Sequence, residues 1–157
     1  MEIADDSFSN SSTEEAILTE GIAYIGRNAF SCCNKLHQVV LPISIEEIED
    51  SAFANCSSLK SISLPMALKT IGDGALKGTG LRTIEIPKSV FWLGDELVAD
   101  CQSIEHVTIP ENIGRIPDRM FEGCTSLKKV ELHEKLGAIG ERAIFRLQFF
   151  GFYCDSR

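Results

Sequence analysis

The chain of 157 residues is 44% apolar and 24% charged, which is typical of one folded domain or a short repeat array and excludes a disordered segment. Its 15 Lys and Arg residues face 23 Asp and Glu residues, and the net charge of −8 argues against binding to nucleic acid, which needs a basic surface. No apolar run approaches the roughly 20 residues of a membrane-spanning helix, and the acidic start lacks a signal-peptide core. We therefore expect a soluble, acidic protein that inserts into no membrane.

A unit of 22 or 23 residues recurs along the chain. Full copies begin at residues 25, 48, 71, 93 and 116, a partial copy begins at residue 139, and a weak copy covers residues 3–8. Each full copy has an Ile-Gly-like pair, an Ala-Phe-like pair, a position that is usually Cys, and a Leu-Pro-like end. The apolar anchor of the second pair keeps the period: Phe30, Phe53, Leu76, Val98, Phe121 and Ile144. We expect these anchors to form one buried stripe.

Every full copy also contains a Leu-x-x-Val-x-Leu-like segment, such as Leu36, Val39 and Leu41. The alternation of its last apolar positions with polar ones predicts a strand with one buried face. The proline that follows, Pro42 in this copy, cannot donate a ladder hydrogen bond and ends the strand. Because one copy cannot bury its own apolar face, we expect the copies to stack into a parallel sheet that coils right-handed.

These elements, kept at fixed mutual spacing over about residues 22–144, resemble the BspA-like leucine-rich repeat. Departures such as Thr79 for Cys and Leu97-Val98 for Ala-Phe are mostly conservative and affect local packing more than the fold. The resemblance implies an α/β repeat fold, a right-handed leucine-rich-repeat solenoid with a parallel β-sheet on one face and short helical turns or loops on the other. It also implies a surface or extracellular role in adhesion and host-protein binding.

Three segments follow from this pattern. Residues 1–21 are interpreted as a degenerate N-terminal repeat or cap, residues 22–144 as five full leucine-rich repeats plus a partial sixth, and residues 145–157 as an aromatic C-terminal cap.

The last segment is rich in phenylalanine, and Phe145, Phe149 and Phe152 have the spacing of one helical face. They would fold onto the last strand as a cap. Two alternatives stay open, namely a homodimer contact through Phe149, Phe150 and Phe152 and an aberrant coding end without a designed role.

Two further positions repeat with the period. Four cysteines share one position and favour buried free thiols, with disulfides and a metal site as alternatives: Cys33, Cys56, Cys101 and Cys124. An acidic position precedes the Ala-Phe-like pair, with Arg27 in the first copy: Asp50, Asp73, Asp95, Asp118 and Glu141. We expect these acids to cap short helical turns, and a stripe that binds a cation such as calcium is the alternative.

The polar positions of each predicted strand should face outward and form the candidate protein-binding face. These residues are Gln38, Val40, Ser61, Ser63, Thr83, Glu85, His106, Thr108, Lys129 and Glu131. The set contains none of the aromatic side chains that dominate tight interfaces, so a merely solvated surface is the competing interpretation.

Catalysis has little support in the sequence. The histidines His37, His106 and His133 occupy different repeat positions, and no nucleophile, phosphate-loop or zinc motif is present. We therefore expect no enzyme activity, no catalytic residue, no cofactor and no metal. The expected function is a protein-binding scaffold, and the resemblance implies a cell-surface adhesion or host-interaction module whose partners are host extracellular-matrix or surface proteins. The alternative is an intracellular protein-interaction scaffold, which the missing signal sequence favours.

Overall fold

The structure is a computed structural model that describes residues 1–144 and 152–155. Short parallel strands dominate it, and most copies contribute two of them, one at the Ile-Gly-like pair and one at the Leu-x-x-Val-x-Leu-like segment. The strands are β1 (Glu2–Ile3), β2 (Glu15–Ile17), β3 (Tyr24–Ile25), β4 (Gln38–Val40), β5 (Glu47–Ile48), β6 (Thr70–Ile71), β7 (Thr83–Glu85), β8 (Trp92–Leu93), β9 (His106–Thr108), β10 (Arg115–Ile116), β11 (Lys129–His133), β12 (Ala138–Ile139) and β13 (Phe152–Asp155).

The strands form two columns that run along the stacked copies. The predicted column contains the pair β2-β4 and the sheet β7-β9-β11-β13. The second column contains the sheet β1-β3-β5-β6-β8 and the pair β10-β12. All pairings are parallel, and equivalent residues face one another, as Ile84, Val107 and Val130 do. The prediction of stacked, in-register copies is therefore confirmed, while the second column was not predicted.

The apolar anchors lie in one continuous core between the columns. Phe53 and Phe121 are fully buried, and the ring of Phe30 stacks on that of Phe53 with centroids 5.2 Å apart. On its other side Phe30 stacks on Phe8, at 5.1 Å, so the weak copy at residues 3–8 continues the stripe. Phe8 ends the stack and is 41% exposed. Each copy thus supplies part of the interior of its neighbour.

The expected short helical turns are wrong, because no residue in the described ranges is helical. In the first copy, Asn28, Phe30 and Cys32 donate their backbone N–H groups to carbonyl oxygens one copy further on, at 2.7–3.0 Å. An α-helix would need these donors for its own carbonyls. Asn28 and Cys32 also have positive φ angles, of 52° and 59°, which a helix does not tolerate. Hydrogen bonds between copies therefore replace the helix.

The predicted strand column is interrupted at residues 61–63, which the structure leaves without strand pairing. A single long hydrogen bond of 3.4 Å, from the backbone N–H of Arg82 to the carbonyl oxygen of Lys60, joins the copies here. The interruption lies beside the third copy, which is one residue shorter than its neighbours.

At the C-terminal end, strand β13 pairs with β11, with Phe152 beside Val130 and Asp155 beside His133. The predicted helical face is therefore wrong at Phe152, which lies in a strand. Phe145, Phe149 and Phe150, with the proposed homodimer contact, lie outside the described residues. Within the described ranges, no helix has the length and apolarity to cross a membrane.

The acidic position has a different role from the predicted helix cap. The Oδ1 atom of Asp50 accepts the backbone N–H of Asp73 at 2.9 Å, and Asp73 accepts that of Asp95 at 2.8 Å. The pattern continues through Asp118, whose pKa is lowered by the N–H of Glu141 and then by the Arg115 side chain. We call this row the aspartate ladder (Asp5, Asp50, Asp73, Asp95 and Asp118). Each carboxylate accepts a backbone N–H of the next copy and none of its own turn.

The cysteines of the repeat position form a second ladder. Cys56 donates its thiol hydrogen to the carbonyl oxygen of Phe30 at 3.0 Å, and Cys101 and Cys124 make the same contact to the preceding copies at 3.1 Å. All five cysteines of residues 1–144, including the half-buried Cys32, are free thiols. Burial raises the pKa of Cys56 from 9.0 to about 12, and it also raises the pKa values of Cys101 and Cys124.

The free energy of unfolding is expected to fall as the pH rises above about 9, because the unfolded chain then loses thiol protons that the folded chain keeps. The stabilisation from Cys56 is fully present below its unfolded pKa and is lost as the pH approaches the folded pKa of about 12. Urea denaturation at about pH 8 and about pH 10.5 measures the change. Cys56→Ala should reduce the slope of the free energy of unfolding against pH by up to about 1.4 kcal/mol per pH unit. An equal slope in the variant would contradict the assignment.

Candidate protein-binding site

The predicted outward face lies on β4, β7, β9 and β11 and on the unpaired residues 61–63. All of its side chains are exposed, except Thr108 and Lys129, which are half-buried. Their buried neighbours Val39, Ile84 and Val107 point into the core, as the strand alternation predicts. The face is therefore accessible from solvent along its whole length.

Two rows of side chains run across β7, β9 and β11. Thr83, His106 and Lys129 are aligned in one row, and Glu85, Thr108 and Glu131 in the other. The Thr108 hydroxyl donates to Glu131 at 3.1 Å, and the Lys129 ammonium pairs with the same carboxylate. Lys129 and then Thr108 hold the pKa of Glu131 below its ordinary value. This end of the face offers charged and hydrogen-bonding groups in fixed positions.

The opposite end of the face is more apolar and includes two residues that the sequence reasoning missed. Gln38 and Val40 on β4 are paired with Glu15 and Ile17 on β2. Ile17 is 65% exposed and Val40 43% exposed, and they lie side by side. The signal was present in the Ala16-Ile17-Leu18 run, which lies one repeat period before the Val39-Val40-Leu41 run. The face thus changes from apolar to charged along the solenoid.

A second exposed surface lies on the other column and was also missed. Phe91 is 64% exposed, and Trp92, the only tryptophan of the chain, is 61% exposed. They line an open groove of about 410 Å³, which we call the aromatic groove; its lining is Asp73, Phe91, Trp92, Leu93, Asp95, Ile113, Gly114, Arg115 and Pro117. Strand alternation around the buried Leu93 could have indicated that Trp92 points outward.

The histidines have separate surroundings. His133 is buried and lies with Nε2 3.0 Å from the carbonyl oxygen of Ile113, while the exposed His37 lies 3.8 Å from Glu15. Among the described residues, no three His, Cys, Asp or Glu side chains are grouped so that they could hold a metal ion. The aspartate ladder supplies at most one carboxylate per copy, with Arg27 in its place in the first copy, and each carboxylate accepts a backbone N–H.

The sequence pattern of the BspA type leucine rich repeat region matches residues 1–104 and 92–150, in six copies. The chain belongs to the BspA-type leucine-rich repeat family. This confirms the resemblance drawn from the Ile-Gly, Ala-Phe, Cys and Leu-Pro elements. None of the curated proteins matches the chain.

Solved structures of bacterial leucine-rich repeat proteins share the BspA-type fold. The T. pallidum leucine-rich repeat protein TpLRR is 28% identical, with a TM-score of 0.83 over 89% of this chain. A leucine-rich repeat protein from Bacteroides ovatus is 31% identical, with a TM-score of 0.84 over 97% of the chain. The pneumococcal vaccine antigen PcpA, at 20% identity over 88% of this chain and 50% of its own, has a TM-score of 0.58 and shows the fold alone.

The chain spans 66% of the T. pallidum protein and 41% of the Bacteroides ovatus protein. Together with the strand pairing, these likenesses establish a parallel-strand β-solenoid of about six turns.

Proposed function

We propose that the chain is a non-enzymatic protein-binding scaffold that acts as a cell-surface adhesion or host-interaction module. The outward face of β4, β7, β9 and β11 is its contact surface, and host extracellular-matrix or surface proteins are its partners. The observation that carries the proposal is the pair of aligned, solvent-accessible rows that end in Lys129 and Glu131.

The construction of the solenoid supports this role. Strands β9 and β11 pair with a strand on both sides, and β4 and β7 pair on one side, so the outward side chains keep fixed spacing and lose little freedom when a partner binds. Extended sheets of stacked repeats serve as binding surfaces for this reason. The small polar side chains and the mixed charges favour a contact that depends on many weak interactions.

Binding of the chain to immobilised fibronectin, laminin and collagen tests the proposal. We expect the double variant His106→Glu and Lys129→Glu to lose at least tenfold in affinity for the matrix protein that binds, because it places two new carboxylates beside Glu131. We expect substitutions at this end to affect binding most, because its charged side chains are held in fixed positions.

A matched control separates a surface effect from a change in net charge. The double variant Gln102→Glu and Lys135→Glu adds the same formal charge at exposed positions that do not belong to the face and should bind like the parent chain. Equal affinity of the face variant and the parent chain would refute the contact surface. If none of the three matrix proteins binds, the proposal of matrix adhesion is wrong.

A further inference from the structure

The second strand column is split at one point. Strand β6 pairs with β8 and β10 pairs with β12, but no pairing joins β8 to β10 in the described part of the chain. In the fourth copy, the backbone N–H of Gly94 donates to the carbonyl oxygen of Ile71 in the third copy at 2.8 Å. Pro117 occupies this position in the fifth copy and has no N–H to donate. The proline thus removes one of the bonds that would hold β10 against β8.

The aromatic groove lies at this split. Phe91 and Trp92 border it from the β8 side, and Gly114 borders it from the β10 side. A Cβ atom built on Gly114 would have no heavy atom within 4 Å, so nothing in the described structure fills the space above this glycine. The groove therefore presents two exposed aromatic rings beside a backbone that has no side chain to cover it.

Two carboxylates at the groove have no ion-pair partner in the described residues. Asp73 and Asp95 line it, and each uses Oδ1 to accept a backbone N–H. Neither carboxylate has a salt-bridge partner among residues 1–144. The one cationic side chain of the lining, Arg115, is paired with Asp118. Asp73, Asp95 and Trp92 are all exposed, so their side chains are accessible to a ligand.

We propose that the aromatic groove binds a lysine or arginine side chain that an exposed segment of a partner protein presents. A cation over the Trp92 ring gains a cation–π interaction, and the carboxylates of Asp73 and Asp95 complement its charge. The net charge of −8 steers such a segment toward the chain. This site is on a different column from the outward face, and the proposal does not depend on the proposed matrix contact.

NMR titration of the ¹⁵N-labelled chain tests the proposal, because the only tryptophan gives a single indole N–H signal. The probe is a short Gly-Ser peptide with blocked ends and an Arg-Gly-Arg centre. We expect saturable shifts of the Trp92 indole signal and of the Gly114 amide signal. The same peptide with glutamine in place of both arginines should bind at least tenfold more weakly.

Variants separate the contributions. Trp92→Leu keeps an apolar side chain but has no π face, and the Gly114 signal should report binding weakened about five- to thirty-fold, equivalent to about 1–2 kcal/mol. Asp73→Asn with Asp95→Asn retains the Oδ1 acceptors of the aspartate ladder and should weaken binding by a similar factor.

Four results would overturn the proposal. They are no saturable shift with the arginine peptide, equal binding of the glutamine peptide, parental affinity in Trp92→Leu, and saturation of the indole signal by a neutral oligosaccharide that the arginine peptide fails to displace.

Discussion

Replacing Phe53 with alanine is expected to lower the free energy of unfolding by about 3–5 kcal/mol, the usual cost of removing a fully buried phenylalanine. Phe53 is completely inaccessible and stacks on Phe30, so its loss leaves a cavity between adjacent copies and removes a ring contact. Each copy depends on its neighbours for its interior, and the damage therefore spreads to the interface between copies. Urea denaturation followed by circular dichroism measures the change.

Phe8→Ala is the matched control, because Phe8 belongs to the same aromatic stack but lies at its exposed end. It should lower the free energy of unfolding by less than about half as much as Phe53→Ala does, because less of the Phe8 surface is buried on folding. Similar losses for the two variants would show that position in the stack does not decide the energy.

Substituting Gly94 with alanine is expected to destabilise the chain by about 1–3 kcal/mol or more, although only one methyl group is added. A Cβ atom at this position would overlap the backbone nitrogen of Asp73 and its Oδ1 atom, both of which belong to the preceding copy. Backbone atoms cannot rotate away, so β8 would have to separate from β6 and lose the hydrogen bonds between them. Thermal denaturation should show a lower melting temperature.

Gly114→Ala provides the comparison for Gly94→Ala within the same chain. Gly114 has no positive φ and nothing within 4 Å of the added atom, so alanine should leave stability unchanged or raise it by about 0.4–1 kcal/mol. A melting temperature lowered equally by both substitutions would refute steric overlap as the cause.

The repeated anchors and outward rows could be predicted because they depend only on spacing. Phe30, Phe53 and Phe121 share one position of a constant period, and stacking brings equal positions together. The alternation around Val107 and Val130 likewise determined which side chains face solvent. Such arguments need no knowledge of the path between the strands.

The turns were mispredicted because the local pattern is ambiguous. An acid two residues before an Ala-Phe pair, such as Asp50 before Ala52, is a typical start of a helix. Its carboxylate does accept a backbone N–H, but the donor belongs to Asp73, which is 23 residues away. The backbone N–H groups can bond within their own copy or to the neighbouring copy, and stacking favours the bonds between copies. The sequence of a single copy does not show which of the two forms.

The aromatic groove escaped prediction because it depends on an exception to the repeat. Pro117 stands where most copies have glycine, and Phe91 and Trp92 stand where the preceding copy has Lys69 and Thr70. Averaging over the copies removes such differences. Glu49 is a second position where another residue replaces this glycine. In most other copies the glycine leaves space for the aspartate carboxylate of the preceding copy. The copy that precedes Glu49 has Arg27 in place of that aspartate, so the space is not needed.

The aspartate ladder gives the molecule a polarity with an evolutionary consequence. The coils of Asp73, Asp95 and Asp118 each present a carboxylate acceptor on one edge and the matching amide donor on the other, as Asp73 does toward Asp50 and Asp95. A gene duplication that inserts one whole coil therefore supplies a piece compatible with both new neighbours, and it lengthens the molecule by roughly 4.8 Å. The length of the solenoid can thus change with the number of coils, while the contacts between adjacent coils stay the same.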